Sequence, residues 1–336
     1  ATVKAGQTVT LEFRNAPKGS LIIVKKDAVT GKALKGVTFT VTTSSGQFVA
    51  DAEGQISSNG LYYTDENGKI IFSGLAPDTY VVTETATIPG YVLDSTPVYF
   101  DVTEDNSTEE GGVTVIEVTK SNMAQKGVIK VSKTGEVFSS VQENEGVYQP
   151  VYEVTGLPGA VFEITALEDV YTPDGTLRYS AGEVVDTITT GEDGTAQSQP
   201  LYLGKFQVKE IEFPHGMADT GENITEVELV YAGQEVEITE TSASFYNQRQ
   251  KALVTLDKVL EQDETFGIGM NGEISAVTFG LYAQEDITAA DGSVIPADGL
   301  LEIVSVNENG QAVCSTDLPF GSFYLKELST DSHYLL

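Results

Sequence analysis

The sequence of 336 residues contains one cysteine, two histidines and no tryptophan. A single cysteine, Cys314, excludes an intramolecular disulfide and a cysteine-based metal site, and we expect neither a metal ion nor a cofactor. Basic residues are also scarce, 19 against 50 acidic ones, so the formal net charge is −31. This charge repels nucleic acids and anionic membranes, and neither is an expected partner. No run approaches the roughly 20 apolar residues of a membrane span.

The sequence does contain a regular alternation of short β-type runs and turns. Runs of about four to eight residues rich in Val, Ile, Thr, Tyr and Phe are separated by turn clusters such as DENGK, GEDG and NENG. Helical periodicity is nearly absent. This pattern predicts an all-β chain built from hairpins.

Three segments of the chain repeat one pattern, in which a glutamate follows an aromatic residue by four positions and a leucine by nine. They are LAPDTYVVTE (75–84), LYLGKFQVKE (201–210) and LPFGSFYLKE (318–327). A glycine turn precedes each segment, at Gly68, Gly194 and Gly310. Three lysine-ending strands, LIIVK, VIKVSK and LVTLDK, repeat at domain-sized intervals as well. The chain is therefore predicted to be a tandem array of similar domains.

The repeats also predict where each domain begins and ends. We expect the last strand of a preceding domain in residues 1–16, complete domains in 17–124 and 125–249, and an incomplete third domain in 250–336. Only APKGS, MAQKG and QRQKA separate the asparagine that ends one unit from the first strand of the next. Linkers this short favour a stiff array.

Several polar residues continue rows of apolar side chains along predicted strands. Lys25 follows Leu21 and Ile23 in phase, since residues two apart in a strand share a face, whereas Lys26 is expected to face solvent. The others in such rows are Lys133, Lys258, Glu84, Glu210, Glu327, Asn15 and Asn247. A buried unpaired charge costs roughly 2–5 kcal/mol, so a set that recurs in register requires partners.

Two interpretations of this Lys–Glu–Asn set remain open. One is a buried ion pair with an asparagine partner. The other is reactive: desolvation lowers the pKa of a lysine and raises that of a glutamate, so the amine can act as a nucleophile. A protonated glutamate would then donate a hydrogen bond to the asparagine carbonyl. The product would be a Lys–Asn amide, with ammonia released in a single turnover.

One pattern in the sequence is VKKDAVTGKALKGVTF, followed by DENGKIIFSGLAPDTYVVTET, PGY and a final Asn. This pattern resembles the collagen-adhesin B-type (CnaB, SpaA/prealbumin-like) domains of Gram-positive surface proteins and pilins. The resemblance extends over essentially the whole chain. It implies tandem immunoglobulin-like/prealbumin-like β-sandwiches with Lys–Asn isopeptide bonds catalysed by glutamate. The implied sets are Lys25–Asn122 with Glu84, and Lys133–Asn247 with Glu210; Glu327 is the catalytic glutamate of a third.

The sequence departs from the family pattern at several places. The family's ETxAPxGY reads ETATIPGY (84–91) in the first unit and EIEFPHGM (210–217) in the second. Lys120 stands two residues before Asn122, where an apolar residue is usual. After KTGEV (133–137), a long excursion covers residues 138–158. We interpret this excursion as an elaborated loop, either an adhesive tip or an insertion.

The third set is expected to lack its asparagine. The first two sets separate glutamate and asparagine by 38 (122 − 84) and 37 (247 − 210) positions. The same spacing puts the partner of Glu327 near position 364 or 365, past Leu336, so Lys258 is expected to be unpaired here. Asn15 is assigned to the preceding domain. The stretch is thus interpreted as a part of a longer array.

The favoured function is structural: a stalk, pilin-like or adhesin component of a Gram-positive cell surface, made rigid by autocatalytic Lys–Asn cross-links. It would be extracellular, anchored to the cell wall in the full-length protein, with neighbouring domains of the same chain as partners. The alternative is an adhesive module that binds a host matrix protein or glycan, with buried Lys–Glu ion pairs in place of the bonds. Enzymatic turnover of an external substrate is not expected.

Overall fold

The computed structural model describes residues 4–11, 18–103 and 115–336, and strands account for nearly all of its regular structure. In this described part, the regular helical structure is one 3-10 turn, Glu273–Ala276, and no helix is long and apolar enough to cross a membrane. Three separate apolar cores follow one another along the chain. We call the parts around them the first module (18–124), the second module (125–249) and the third module (250–336). The prediction of an all-β tandem array is confirmed.

The first module consists of two sheets that enclose one core. Its strands are β1 (Gly19–Asp27), β2 (Thr38–Thr43), β3 (Tyr62–Tyr63), β4 (Lys69–Leu75), β5 (Asp78–Ala86), β6 (Val98–Val102) and β7 (Val115–Asn122). The sheet orders are β4-β1-β7 and β3-β2-β5-β6. Leu21 and Ile23 of β1 are fully buried against Phe39 and Phe72. The first and last strands pair in parallel, so Lys25 lies near Asn122.

The second module repeats this arrangement with additional strands. They are β8 (Lys126–Asn144), β9 (Val147–Gly156), β10 (Val161–Ala166), β11 (Val170–Tyr171), β12 (Leu177–Tyr179), β13 (Val184–Thr189), β14 (Thr195–Gln197), β15 (Leu201–Tyr202), β16 (Gly204–Glu212), β17 (Met217–Ala218), β18 (Ile224–Leu229) and β19 (Ile238–Arg249). One sheet has the order β13-β10-β16-β18. In the other, β8 pairs in parallel with β19, which places Gly135 opposite Asn247.

The interpretation of residues 138–158 as an elaborated loop is wrong for most of the segment. Strand β8 continues without a break through this region and turns back at Glu145 and Gly146 into β9, so the excursion is mainly a long hairpin. The hairpin is ordered because it packs on the third module: Phe138, Val141 and Tyr148 contact the third core. Alternation within β8 does not reveal this contact, since it depends on a partner far along the chain.

The third module contains β20 (Thr255–Asp257), β21 (Thr278–Ala283), β22 (Ile287–Thr288), β23 (Val294–Ile295), β24 (Leu300–Ser305), β25 (Gln311–Val313) and β26 (Phe323–Ser329). Strand β21 pairs with β24 and β26, and β24 joins the hairpin of the second module where Leu300 pairs with Val147. Among the described residues, β20 pairs only with β25. Cys314 is buried in this core.

Direct contacts hold the first two modules together. The backbone N–H of Gln125, a buried residue at the start of the second module, donates to the carbonyl of Gly90 in the first module at 2.8 Å. Thr30 Oγ1 donates to Asp174 Oδ2 at 2.8 Å. Buried hydrogen bonds of this kind restrict movement at the joint.

A buried arginine secures the joint between the second and third modules. The guanidinium of Arg249 lies 3.8 Å from the ring centroid of Tyr152 and 2.5 Å from Asp317 Oδ1. It also donates to the carbonyl of Leu318 at 3.3 Å. Arg249 is the last residue of β19, so these contacts lie at the end of the second module's last strand.

Candidate cross-linking sites

Strand phase decides which lysine of β1 enters the core. Lys25 is 0% exposed, as are Leu21 and Ile23, four and two residues before it, whereas Lys26 is partly exposed. Lys133 of β8 is likewise 0% exposed. The structure therefore places both lysines where the alternation predicted them.

The glutamates reach these lysines from the facing sheet. Glu84 lies near the end of β5, opposite Phe39 of β2. Glu210 lies on β16, opposite Phe162 of β10. The Nζ atoms of Lys25 and Lys133 lie 6.0 Å from the ring centroids of Phe39 and Phe245 respectively, so aromatic rings form part of each enclosure.

The first site brings its three predicted residues into mutual contact. Lys25 Nζ donates to Glu84 Oε2 at 2.6 Å and to Asn122 Oδ1 at 2.5 Å. Asn122 Nδ2 donates to Glu84 Oε1 at 2.5 Å. One carboxylate thus bridges the amine nitrogen of Lys25 and the amide nitrogen of Asn122. The amide presents its nitrogen to Glu84, not its oxygen as the sequence-based chemistry assumed.

The second site has the same bridging carboxylate. Lys133 Nζ donates to Glu210 Oε2 at 2.7 Å, and Asn247 Nδ2 donates to Glu210 Oε1 at 3.1 Å. All three side chains belong to residues that are at most 2% exposed. In both modules, two strands that are distant in sequence meet at one buried glutamate.

Burial makes the lysines suitable nucleophiles. Removal from water lowers the pKa of Lys25, while its hydrogen bond and charge pairing with Glu84 act in the opposite direction. For Lys133, too, burial lowers the pKa and Glu210 opposes it. The net shift is downward in both, so the neutral amine forms at a lower pH than in water. Only the neutral amine carries the lone pair that attacks a carbonyl.

Two glycines serve the lysines in a way that the sequence pattern did not reveal. The backbone N–H of Lys25 donates to the carbonyl of Gly68, and that of Lys133 to the carbonyl of Gly194, both at 2.8 Å. A Cβ atom on either glycine would lie 2.4 Å from the carbonyl oxygen of its lysine. Both also have φ near +70°. The repeated glycine turn before each glutamate was the signal that could have identified this role.

The Lys258–Glu327 pair of the third module is also formed, but its side chains are more exposed to solvent. Lys258 Nζ donates to Glu327 Oε2 at 2.7 Å, and the side chains are 23% and 25% exposed, against 0% for the pairs in the first two modules. Its glycine, Gly310, accepts from the N–H of Lys258 at 2.7 Å. Asn15, the remaining predicted residue, lies outside the described residues.

Other site types find little support in the described part of the chain. Within its limits, no group of three or more His, Cys, Asp or Glu side chains is arranged to hold a metal ion. A cavity of about 450 Å³ lies between the second and third modules, beside Phe138, Met217 and Phe320. The Lys–Glu–Asn sets remain the clearest chemical feature.

Residues 19–121 and 151–242, together more than half of the chain, match the SpaA prealbumin-like fold domain. The chain belongs to this family. The predicted prealbumin-like β-sandwich fold is therefore confirmed, as is the resemblance to SpaA/CnaB-like domains of Gram-positive surface proteins.

The chain is also similar to parts of individual proteins. Serine-aspartate repeat-containing protein C of Staphylococcus aureus is 31% identical over 207 residues, which cover 60% of this chain and 19% of that protein. The match thus spans about one fifth of that relative's length. The Bacillus anthracis TIE protein has a similar fold, with a TM-score of 0.53 and 22% identity over 95% of this chain and 46% of that one. BcpA, the major pilin subunit of Bacillus cereus, matches more loosely, with a TM-score of 0.31 and 17% identity over 94% of this chain and 92% of that one.

Proposed function

We propose that this chain is a stalk or pilin-like segment of a Gram-positive cell-surface protein, in which Lys25–Asn122 and Lys133–Asn247 amides lock two modules. The domain limits are those predicted from the repeats. One observation carries the proposal: in two modules, a buried glutamate contacts a buried lysine and a buried asparagine at the same time.

The geometry of the first site supports a reaction with no external reagent. Lys25 Nζ attacks Cγ of Asn122, and Glu84 Oε2 accepts the proton that Nζ loses. The Cγ–Nδ2 bond breaks, and Glu84 Oε1, which faces Nδ2, returns a proton so that ammonia leaves. Reacting groups held in contact in this way gain a large effective concentration. Glu210 plays the same part between Lys133 and Asn247.

The consequence of each bond is mechanical and thermodynamic. Lys25 and Asn122 are 97 positions apart, and by analogy with a disulfide, closing a loop of that length contributes about 4–5 kcal/mol to the free energy of unfolding. The bond also joins the first and last strands of a module directly. A force on the two ends of the module is then carried by covalent bonds and not by the hydrogen bonds of the sheet.

The third module fits the same scheme as a module that would accept a further strand beside β20. Its Lys258–Glu327 pair lies beside β20, whose pairing in the described chain is with β25 alone. A strand added in parallel on the other side of β20, as β7 is added to β1, would bring an asparagine to Lys258. We infer that this pair stays unreacted in the chain of 336 residues.

Intact-mass measurement of the folded chain tests the function. We expect a mass lower than the sequence mass by two ammonias, and cross-linked peptides that join Lys25 to Asn122 and Lys133 to Asn247. Lys25→Ala is expected to abolish one loss, while Lys26→Ala, a change at the adjacent outward residue, keeps both. A mass equal to the sequence mass would exclude the bonds and favour an adhesive module with buried ion pairs.

A further inference from the structure

The amide nitrogen of Asn122 has a second acceptor besides Glu84. Its Nδ2 donates to Thr87 Oγ1 at 2.8 Å and to Glu84 Oε1 at 2.5 Å. A primary amide has two N–H bonds, so both are engaged. With the nitrogen held on both sides, Oδ1 is directed to Lys25 Nζ at 2.5 Å. Thr87 thus fixes the orientation of the group that must leave.

Thr87 is itself held by the next module. Its backbone N–H donates to Gln234 Oε1 at 3.0 Å, and the backbone carbonyl of Gln234 accepts from the N–H of Leu93 at 2.8 Å. Gln234 lies in the segment 230–237 between β18 and β19. A residue of the second module therefore binds the segment after β5 at two points, on either side of its turn at Gly90.

The segment 230–237 is also bound by a residue at the start of the second module. Gln125, three residues after Asn122, donates to the carbonyl of Gly233 and accepts from the N–H of Ala232, each at 2.9 Å. The position of Gln234 is therefore set by the joint.

Among the described residues, Asn247 Nδ2 donates to Glu210 alone, so the second site has no equivalent of Thr87. Three residues after Glu210 comes Phe213, just as Thr87 comes three residues after Glu84, and a phenylalanine side chain accepts no conventional hydrogen bond. Lys133, Glu210 and Asn247 all belong to the second module. The arrangement of Thr87 and Gln234 is thus a property of the first site.

We propose that Gln234 is a positioning residue for the first cross-link, acting through Thr87 on the leaving amide of Asn122. This inference rests on the proposed Lys25–Asn122 amide. It implies an order of maturation: the 230–237 segment must be in place before the first site reacts at its full rate. The hydrogen bonds that join Lys133, Glu210 and Asn247 lie within the second module, so that site is expected to react independently of the first module.

The rates of the two cross-links in one chain test this inference. The full chain is made by cell-free synthesis, samples are quenched in urea at set times, and each cross-linked peptide is quantified by mass spectrometry. Thr87→Val is expected to slow the first cross-link about tenfold, the effect of losing one hydrogen bond to a reacting group. Gln234→Ala is expected to slow it by up to the same factor, because Gln234 acts only through Thr87. The second cross-link is the internal control and keeps its rate.

Conservative variants separate positioning from folding. Gln234→Glu and Thr87→Ser retain an oxygen acceptor at the same place, so both are expected to react at nearly the original rate. The double variant Gln234→Ala/Thr87→Val is expected to be no slower than Thr87→Val alone, because the two residues act in one chain of contacts.

Several outcomes would overturn the inference. They are an unchanged first-site rate in Gln234→Ala, an equal slowing of both sites, or multiplied effects in the double variant. The absence of both cross-links in the unaltered chain would instead overturn the proposed function itself.

Discussion

The first and second sites hold the same lysine, glutamate and asparagine side chains, but two residues near these side chains are polar in the first site and apolar in the second. Two residues before the asparagine, the first site has Lys120 and the second has Phe245. Lys120 is 5% exposed and donates to the carbonyls of Asp94 and Thr96, both at 2.7 Å. Phe245 instead packs on Phe162, with ring centroids 4.7 Å apart. One position thus carries a buried charge in one module and an aromatic ring in the other.

A second position shows the same contrast. Two residues after the lysine, the first site has Asp27, which accepts from the hydroxyl of Tyr91 at 2.8 Å. The second site has Gly135, where a Cβ would lie 2.7 Å from the carbonyl oxygen of Asn247. Both sites are closed to water, the first partly by polar neighbours and the second by apolar ones. Polar neighbours require a partner each, since an unpaired buried group is costly.

The largest expected effect comes from the glycines that both sites share. Gly68→Ala and Gly194→Ala each place a Cβ against the lysine backbone of one module, so each is expected to abolish that module's cross-link. Intact mass should show the loss of one ammonia in place of two. Gly31→Ala is the matched control, because Gly31 also has positive φ but open space around its Cβ. Two ammonias lost in every variant would contradict the role assigned to these glycines.

Removal of one glutamate should destabilise its module strongly. Glu210→Ala leaves Lys133 buried with no counter-ion, which costs roughly 3–5 kcal/mol of unfolding free energy. Lys133→Met abolishes the same cross-link but leaves a carboxyl that can be protonated and still contact Asn247. Urea unfolding is therefore expected to show the larger loss for Glu210→Ala. Equal losses in the two variants would mean that the bond, and not the buried charge, dominates stability.

The β8–β9 hairpin of the second module should stabilise the third module. Tyr148 packs against the third core, and its ring lies beside Gly299. Tyr148→Ala is expected to cost roughly 2–3 kcal/mol, less than a fully buried aromatic residue, and to speed amide hydrogen exchange in β24. Val154→Ala, an exposed change on the same strand, serves as the control. Both cross-links should still form, and unchanged exchange in β24 would exclude a stabilising role for the hairpin.

The smallest expected effect concerns the charge near the first site. After burial, the positive charge of Lys120 is among the causes that lower the pKa of Lys25. Lys120→Leu removes this cause, so the pKa of Lys25 moves back up and less neutral amine is present at a given pH. The rate of the first cross-link should therefore need a higher pH to reach its plateau. The rate profile of the second cross-link should not move, and an unshifted first profile would mean that Lys120 does not influence the amine.

Much of the candidate site could be read from alternation and repetition. A period of two decides that Lys25 and not Lys26 enters the core, because side chains of a strand alternate strictly between faces. Repetition then pairs each lysine with the glutamate and asparagine at the same place in its own unit. Neither inference needs coordinates, because both depend only on local backbone geometry and on counting along the chain.

Other contacts do not follow from the alternation along a strand or from the repeats, and only the tertiary structure decided them. Three such contacts join segments that are at least 24 positions apart in the sequence. They are the hydrogen bonds of Lys120, the packing of Tyr148 on the third core, and the link from Gln234 to Thr87. Such contacts depend on how modules and turns approach one another in space. The chain by itself therefore determined which residues face inward and which belong together. The folded structure decided how each amide is oriented and which neighbour holds it, because orientation follows from the acceptors that surround a group and not from its place in a strand.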